Sequence, residues 1–357
     1  MINPQLLRLA REARCLTQTD VSNRTGIDQA DVSRWERGLR VPSEDQAREL
    51  AGVLDVSVAF LGGEVRVSQP VHRTSRIDSK RTERMVDGRL ELARIAASRI
   101  LADIDIDAPF DFPSADEPAP ADPEEAADAI RRVWRIPNGP LADLTGHLEA
   151  AGAVVLRVDF GTDAVLAAYN HVRGDHRWCF LNTRAIDGAR ARFSLAHELG
   201  HAVLHWDRFD PPSGRDAERE AHLFAAALLM PRREISTVFV SHRLTLDDLI
   251  PIRQQWQVSI QALITRAAEL GMLTANQKTR LWKQLSARGW RRSEPGLVAT
   301  EHPNLFAQAL QIHRDVHRYT DEDLAGLVGL PLGRLANLMP DYFRGAAPSG
   351  PRLSLVA

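Results

Sequence analysis

The 357-residue chain is 44% hydrophobic and 26% charged, with 45 Lys and Arg against 47 Asp and Glu and a net charge of -2. That balance describes an ordinary soluble protein of two or three domains and excludes wholesale coating of nucleic acid. No run reaches the roughly 18 apolar residues of a membrane span, and the first 25 residues carry charges where a signal peptide needs an apolar stretch. Cys15 and Cys179 fall in separate segments and are expected as reduced thiols in a cytoplasmic protein.

Residues 1–61 read as five short helices. Leu6, Leu7 and Leu9-Ala10 mark the first, and Thr17-Gln18 opens the second. Gly26 supplies a turn, and Asp28 has the spacing of an N-cap for a third helix whose Ile27, Val32 and Trp35 face a core. Pro42-Ser43 starts the fourth, continued by Leu50, Val53 and Leu54. The residues Leu16-Thr-Gln18, Gly26, Val32-Ser-x-Trp-Glu-x-Gly38, Pro42 and Leu50-Ala51 resemble the Xre family of phage-repressor-like helix-turn-helix domains. The resemblance implies that the third helix enters the major groove, with Gln29, Ser33 and Arg34 reading bases and Gln18 touching phosphate. Asp31, on the same helix, is expected to face phosphate unfavourably. A domain that binds protein in place of DNA is the alternative.

Residues 64–94 are rich in arginine, among them Arg81, Arg84, Arg89 and Arg94, and read as a basic connector that either adds phosphate contacts or is simply solvated. A helix is expected from Leu90 to Ile104. Residues 103–125, acidic and proline-rich, read as an extended linker without a core. Helices at about 124–134 and 140–151 lead to strands at 153–159, 164–169 and 177–181, with 170–175 as a turn. Tyr169 and His171 are expected to pack or to lie at the surface.

Arg192 to His205 then reads as one buried helix carrying His197-Glu198-Leu-Gly-His201. Residues four apart on a helix lie about 40° apart around the axis and ~6 Å along it. Two imidazoles so placed reach one tetrahedral zinc ion, and Glu198 lies near enough to handle the proton of a zinc-bound water. After a polar connector (207–216), Glu218 sits near the start of a second helix, and Ala221, Ala225 and Leu228 continue its inner side. Small residues there let the two helices approach closely enough to share a metal.

His197-Glu198-x-x-His201, His205 and Glu218-x-x-Ala221-x-x-Phe224-Ala225-x-x-Leu228-Leu-Met-Pro231 resemble the ImmA/IrrE family of zinc metallopeptidases, similar to thermolysin-type zincins in their metal helices. The resemblance implies zinc (Zn2+) as cofactor on His197, His201 and Glu218, with Glu198 as catalytic base. The family usually has Asn or Asp where this chain has His222, so the surroundings of the metal depart from its pattern. An oxyanion donor besides zinc is needed, and His205 and His222 remain equal candidates for that second layer. His205 lies about 80° around and ~12 Å along the helix from His197, too far for a ligand.

Beyond Pro231 the chain reads helical, through 246–256 and 260–270 and into a small tail domain at 300–340 with Leu324-Ala-Gly-Leu-Val-Gly-Leu330. A second DNA-binding unit is the alternative for that tail. No repeats are visible, and the end from Arg344 reads as frayed. The fold class expected is α+β and mainly helical. Residues 1–62 form a five-helix DNA-binding domain, 63–124 a connector and linker, 125–290 a zincin-like peptidase domain with a small sheet, and 291–357 a helical tail. Two functions fit. One is a regulator that binds its own operator or promoter DNA and cleaves a repressor or other regulatory protein. The other is a regulator or antitoxin that keeps the zincin fold for sensing or for binding a toxin. Partners expected are DNA, a protein substrate or toxin, and a second copy in a homodimer, with no membrane.

Overall fold

A computed structural model describes residues 2–64, 77, 79–112, 120, 122–171, 175–185, 187–205, 216–239, 244–343 and 354–355. The fold is mainly helical with one small three-stranded sheet. Five helices open the chain: α1 (Pro4–Glu12), α2 (Gln18–Thr25), α3 (Gln29–Glu36), α4 (Glu44–Leu54) and α5 (Val58–Leu61). Their boundaries are local chemistry. Thr17 and Asp20 form a reciprocal capping box at the start of α2, and Ser43 and Gln46 do so for α4. Gly26 ends α2 at φ 72°, a left-handed conformation that a side chain would strain.

The long helix α6 (Lys80–Ile100) begins ten residues before the expected Leu90. Residues 90–97 are buried on every side, although two of them are charged. Glu91 and Arg94 resolve that conflict by pairing with each other at 2.8 and 2.9 Å, and Asp175 takes a further bond from Arg94. Gly88 is required where α6 crosses α1, because a Cβ would lie 2.7 Å from the backbone nitrogen of Ala13. Strand β1 (Ile104–Asp105) pairs antiparallel with β5 (Ser354–Leu355), so this part of the expected frayed end is ordered. The remaining residues of 344–357, like most of the basic stretch at 65–78, lie outside the described residues.

Helices α7 (Pro123–Val133) and α8 (Leu144–Ala150) precede strands β2 (Ala153–Val158), β3 (Ala167–His171) and β4 (Arg177–Asn182). The sheet order is β2-β4-β3, with β2 parallel to β4 and β3 antiparallel to it. Asn170 and His171 therefore belong to a strand, not to the expected turn. Helices α9 (Gly188–His205), α10 (Ala217–Leu229), α11 (Arg232–Val238), α12 (Leu246–Trp256), α13 (Ile260–Glu269) and α14 (Ala275–Ala287) follow. The last three are α15 (Leu305–Val316), α16 (Asp321–Val328) and α17 (Leu332–Leu338).

Two compact units form, and neither is contiguous in sequence, unlike the spans expected. The first comprises 1–107, 153–184 and 303–357; the second comprises 108–152 and 185–302. The first shares one apolar core that runs from Leu6, Trp35 and Phe60 through Leu92, Phe160 and Phe180 to Phe306 and Leu335. All six residues of β2 are buried, and helices α6 and α15 pack against the strand.

Within the second unit, the expected extended linker is partly packed. Phe112 is buried against Trp134, whose indole donates to the Asp111 carbonyl at 3.0 Å. Two buried arginines finish α10, satisfying carbonyls that a helix leaves open at its C-terminal end. Arg131 donates to Leu228 at 2.7 Å, and Arg266 donates to Met230 at 3.0 Å while holding Glu124. Helix α9 is fixed by Arg192, which bonds Glu301, the Leu141 carbonyl and Gln257. Burial pulls the Arg192 pKa below its usual value despite Glu301.

Candidate metal centre and candidate DNA-reading face

Helices α9 and α10 pack closely at Gly200. A Cβ there would sit 3.0 Å from Phe224 and 3.1 Å from the Ala221 backbone, so the small residues let the chains approach. This brings together three of the expected ligands. His197 Nε2 and His201 Nε2 are 3.1 Å apart, and Glu218 carboxylate oxygens lie 3.6 Å from the first and 3.4 Å from the second. Bonds of ~2.0–2.1 Å to a tetrahedral ion place its ligands about 3.3–3.4 Å apart. The separations lie near that edge length, with the two from Glu218 running to different carboxylate oxygens, and these three residues are the one group among the described residues that could hold such an ion. They leave one corner of the tetrahedron open. Glu198 is buried on the same helix, next in sequence to His197.

Behind the expected ligands runs a second set of contacts. His201 turns its other ring nitrogen, Nδ1, to His205 Nδ1 at 3.3 Å, and His205 Nε2 meets Glu220 at 3.0 Å. Glu220 was not among the expected site residues. The signal available was a four-residue ladder of histidines on α9 facing two acids in the first turn of α10. His222 packs on the Phe193 ring at 5.0 Å between centroids. His205 is thus in line with a ligand and Glu220, whereas the described ring contact of His222 is with Phe193.

In the first unit, α2 and α3 are joined by side chains at their starts. Gln29 donates to Gln18 at 2.7 Å, Gln18 donates to Glu36 at 2.9 Å, and Glu36 receives Arg11 at 2.6 and 2.9 Å. Gln29 and Arg34 are exposed, and Ser33 is half-buried. Asp31 is engaged by Arg34 at 2.8 Å and Arg40 at 3.2 Å, so its charge is offset at the surface and does not stand alone.

The tail contains a copy of this helix pair, correcting the reading that the chain has no repeats. Thr320 and Asp323 form the same capping box as Thr17 and Asp20. Gly329 repeats Gly26 at φ 70°, and buried Leu324 and Leu335 stand in register with Val21 and Val32. The copy lacks the residues expected to contact DNA: Asp321, Leu332, Ala336 and Asn337 occupy the positions of Gln18, Gln29, Ser33 and Arg34. Arg334 is buried and donates to the Ala13 carbonyl at 3.3 Å, with its pKa pulled down to about 10 by burial and by neighbouring Arg89 and Arg14.

Burial raises the Tyr169 hydroxyl pKa, in keeping with a packing role, while the His171 side chain lies outside the described residues. Neither Cys15 nor Cys179 forms a disulfide among the described residues. No helix among the described residues is long and apolar enough to cross a membrane.

Residues 7–61 match the helix-turn-helix family model, and residues 148–268 match the peptidase M78 model, described as the IrrE N-terminal-like domain. No curated protein matches the chain. The second match covers helices α9 and α10 and also the three strands of the sheet. Residues 7–61 are thus similar to a helix-turn-helix domain, and residues 148–268 to the IrrE N-terminal-like domain of a peptidase family.

Proposed function

We propose that the protein is a DNA-binding transcriptional regulator whose IrrE-like domain is a zinc-dependent endopeptidase, acting on a repressor or another regulatory protein. The spacing of His197, His201 and Glu218 at a tetrahedral edge with one corner open carries this reading. Bound zinc would polarise a peptide carbonyl and bring the pKa of a water toward neutrality. Glu198 takes a proton from the attacking water and passes it to the nitrogen of the leaving amine as the C–N bond breaks. His205 and Glu220 hold His201. With neutral rings and an ionised Glu220, His205 Nε2 donates to the carboxylate and His205 Nδ1 accepts from His201 Nδ1. The lone pair of His201 Nε2 is then presented to the ion.

On the DNA side, Gln29 keeps its carbonyl oxygen and one N–H for the edge of an adenine after bonding Gln18, and Arg34 lies exposed on the same helix. Gln18, at the start of α2, is placed to meet phosphate. A homodimer on a two-fold operator in the cell's cytoplasm completes the reading.

Glu198→Gln tests it. The substitution keeps size and much of the hydrogen bonding but removes the carboxylate base. Zinc content and DNA binding should survive while cleavage of proteins encoded nearby, and relief of repression, disappear. If Glu198→Gln regulates as well as the parent, the domain senses a signal or binds a toxin without proteolysis.

A further inference from the structure

The first turns of α6 return to the DNA-reading helix pair. Arg81 donates to the Cys15 carbonyl through Nε at 3.0 Å and Nη2 at 2.6 Å, and Nη2 also meets Asp20 at 3.2 Å. Asp20 is the third residue of α2 and closes the capping box on Thr17, so α6 is pinned to the first turn of the helix that begins with Gln18. A cleft of about 510 Å³ opens at this junction, and Gln18, Gln29, Ser33 and Arg37 line it together with Arg81 and Arg84.

Charge in the cleft is one-sided. Five arginines line it against two glutamates, and both glutamates are already engaged. Glu36 receives Arg11 at 2.6 Å, and Glu12 receives Arg8 at 2.9 Å. Arg84 follows Arg81 by one helical turn and is exposed, and among the described residues no carboxylate engages it. A planar guanidinium beside carboxamides placed to read bases suits a backbone phosphate, whose two non-bridging oxygens match its N–H fork.

We propose that the DNA interface extends beyond the helix-turn-helix onto α6, with Arg84 contacting the phosphate backbone and Arg81 positioning it. The proposal rests on the DNA-binding reading of α2 and α3. An acidic protein segment in the same cleft is the competing occupant, and salt and sequence dependence distinguish the two.

The test is binding of the full-length protein to its own promoter and to a short duplex of mixed sequence, across potassium chloride from roughly 50 to 200 mM. Each phosphate contact contributes about 0.9 to the slope of log affinity against log salt. The ratio of parent to Arg84→Ala affinity should therefore shrink about 3.5-fold across that range, equally on both duplexes. Arg84→Lys, which keeps the charge, should restore the slope. Arg48→Ala, an exposed arginine on α4 outside the cleft, should leave it unchanged. An Arg84→Ala slope equal to the parent's overturns the proposal, as does a loss confined to the promoter sequence, which would make Arg84 a base reader. If the parent itself binds neither duplex, the DNA-binding reading falls first and the extension falls with it.

Discussion

Replacing His205 by Phe keeps an aromatic ring of similar size in α9 but deletes both nitrogens that join His201 to Glu220. The metal corner itself is untouched, since His197, His201 and Glu218 remain. What changes is the rotor and the tautomer of His201: its Nδ1, now 3.3 Å from a partner nitrogen, would face carbon. Groups that orient a ligating histidine are worth about 10- to 100-fold in metal affinity, or about 1.4–2.7 kcal/mol. Deleting a ligand costs more, on the order of 3 kcal/mol when the binding energy of a structural zinc site is divided among its ligands. Competition with a chromophoric chelator should therefore rank parent, His205→Phe and His201→Ala in that order, with His205→Phe still binding one zinc at micromolar concentrations. Glu220→Gln should weaken zinc as well, and the double substitution should cost less than both singles added, because the second change breaks a chain already broken. A His205→Phe affinity equal to the parent's would show that the His201–His205 contact is only packing.

Arg192→Leu should destabilise the second unit by about 3–5 kcal/mol, because Glu301 stays behind without its cation; a urea midpoint close to the parent's would refute the role given to this pair. Asn337→Ala in the tail should leave promoter affinity within twofold of the parent, since α17 holds none of the reading residues; a loss like that of Arg34→Ala would make the copy a second reader.

The helix-turn-helix and helices α9 and α10 were legible because their signals are local. Capping pairs such as Thr17 with Asp20, the glycine at 26, and histidines four apart are all satisfied within a turn or two of chain. The first half of α6, Lys80 to Arg89, was not, since its arginines read as a connector and its helix is anchored through Arg81 to the Cys15 carbonyl and Asp20, more than 60 residues earlier in the chain. The stretch at 104–112 failed for a similar reason. Its acids and Pro109 mark a linker, but the carbonyl of Asp111 meets the indole of Trp134 and Phe112 packs on that ring. Glu220 was hidden because Glu218 already completed a plausible ligand set. The tail copy shows only five shared positions in a short helix pair, and its reading residues have been replaced, so similarity of spacing survives where similarity of composition does not.

The shared core of the first unit limits how the DNA-binding part can be separated. A fragment ending at residue 95 would contain the five N-terminal helices and most of α6. Helix α6 is buried around its whole circumference from Leu90 to Ala97, and α1 covers only the side that crosses at Gly88. The rest of its cover comes from β2, α15 and α16, which lie beyond the cut. Leu90, Leu92 and Ile95 are each less than 3% exposed in the intact unit. Exposing such side chains costs about 1.5–3 kcal/mol apiece, a large share of the 5–15 kcal/mol that stabilises a typical domain. Fragment 1–95 should therefore bind a hydrophobic dye and self-associate, whereas a fragment ending at Gly63 avoids the unpaired helix and should stay monomeric. Size-exclusion chromatography and thermal melts of the two fragments beside the intact chain decide the matter. If fragment 1–95 is monomeric and melts as cooperatively as the intact chain, α6 does not need the sheet and the tail, and the first unit is two independent parts.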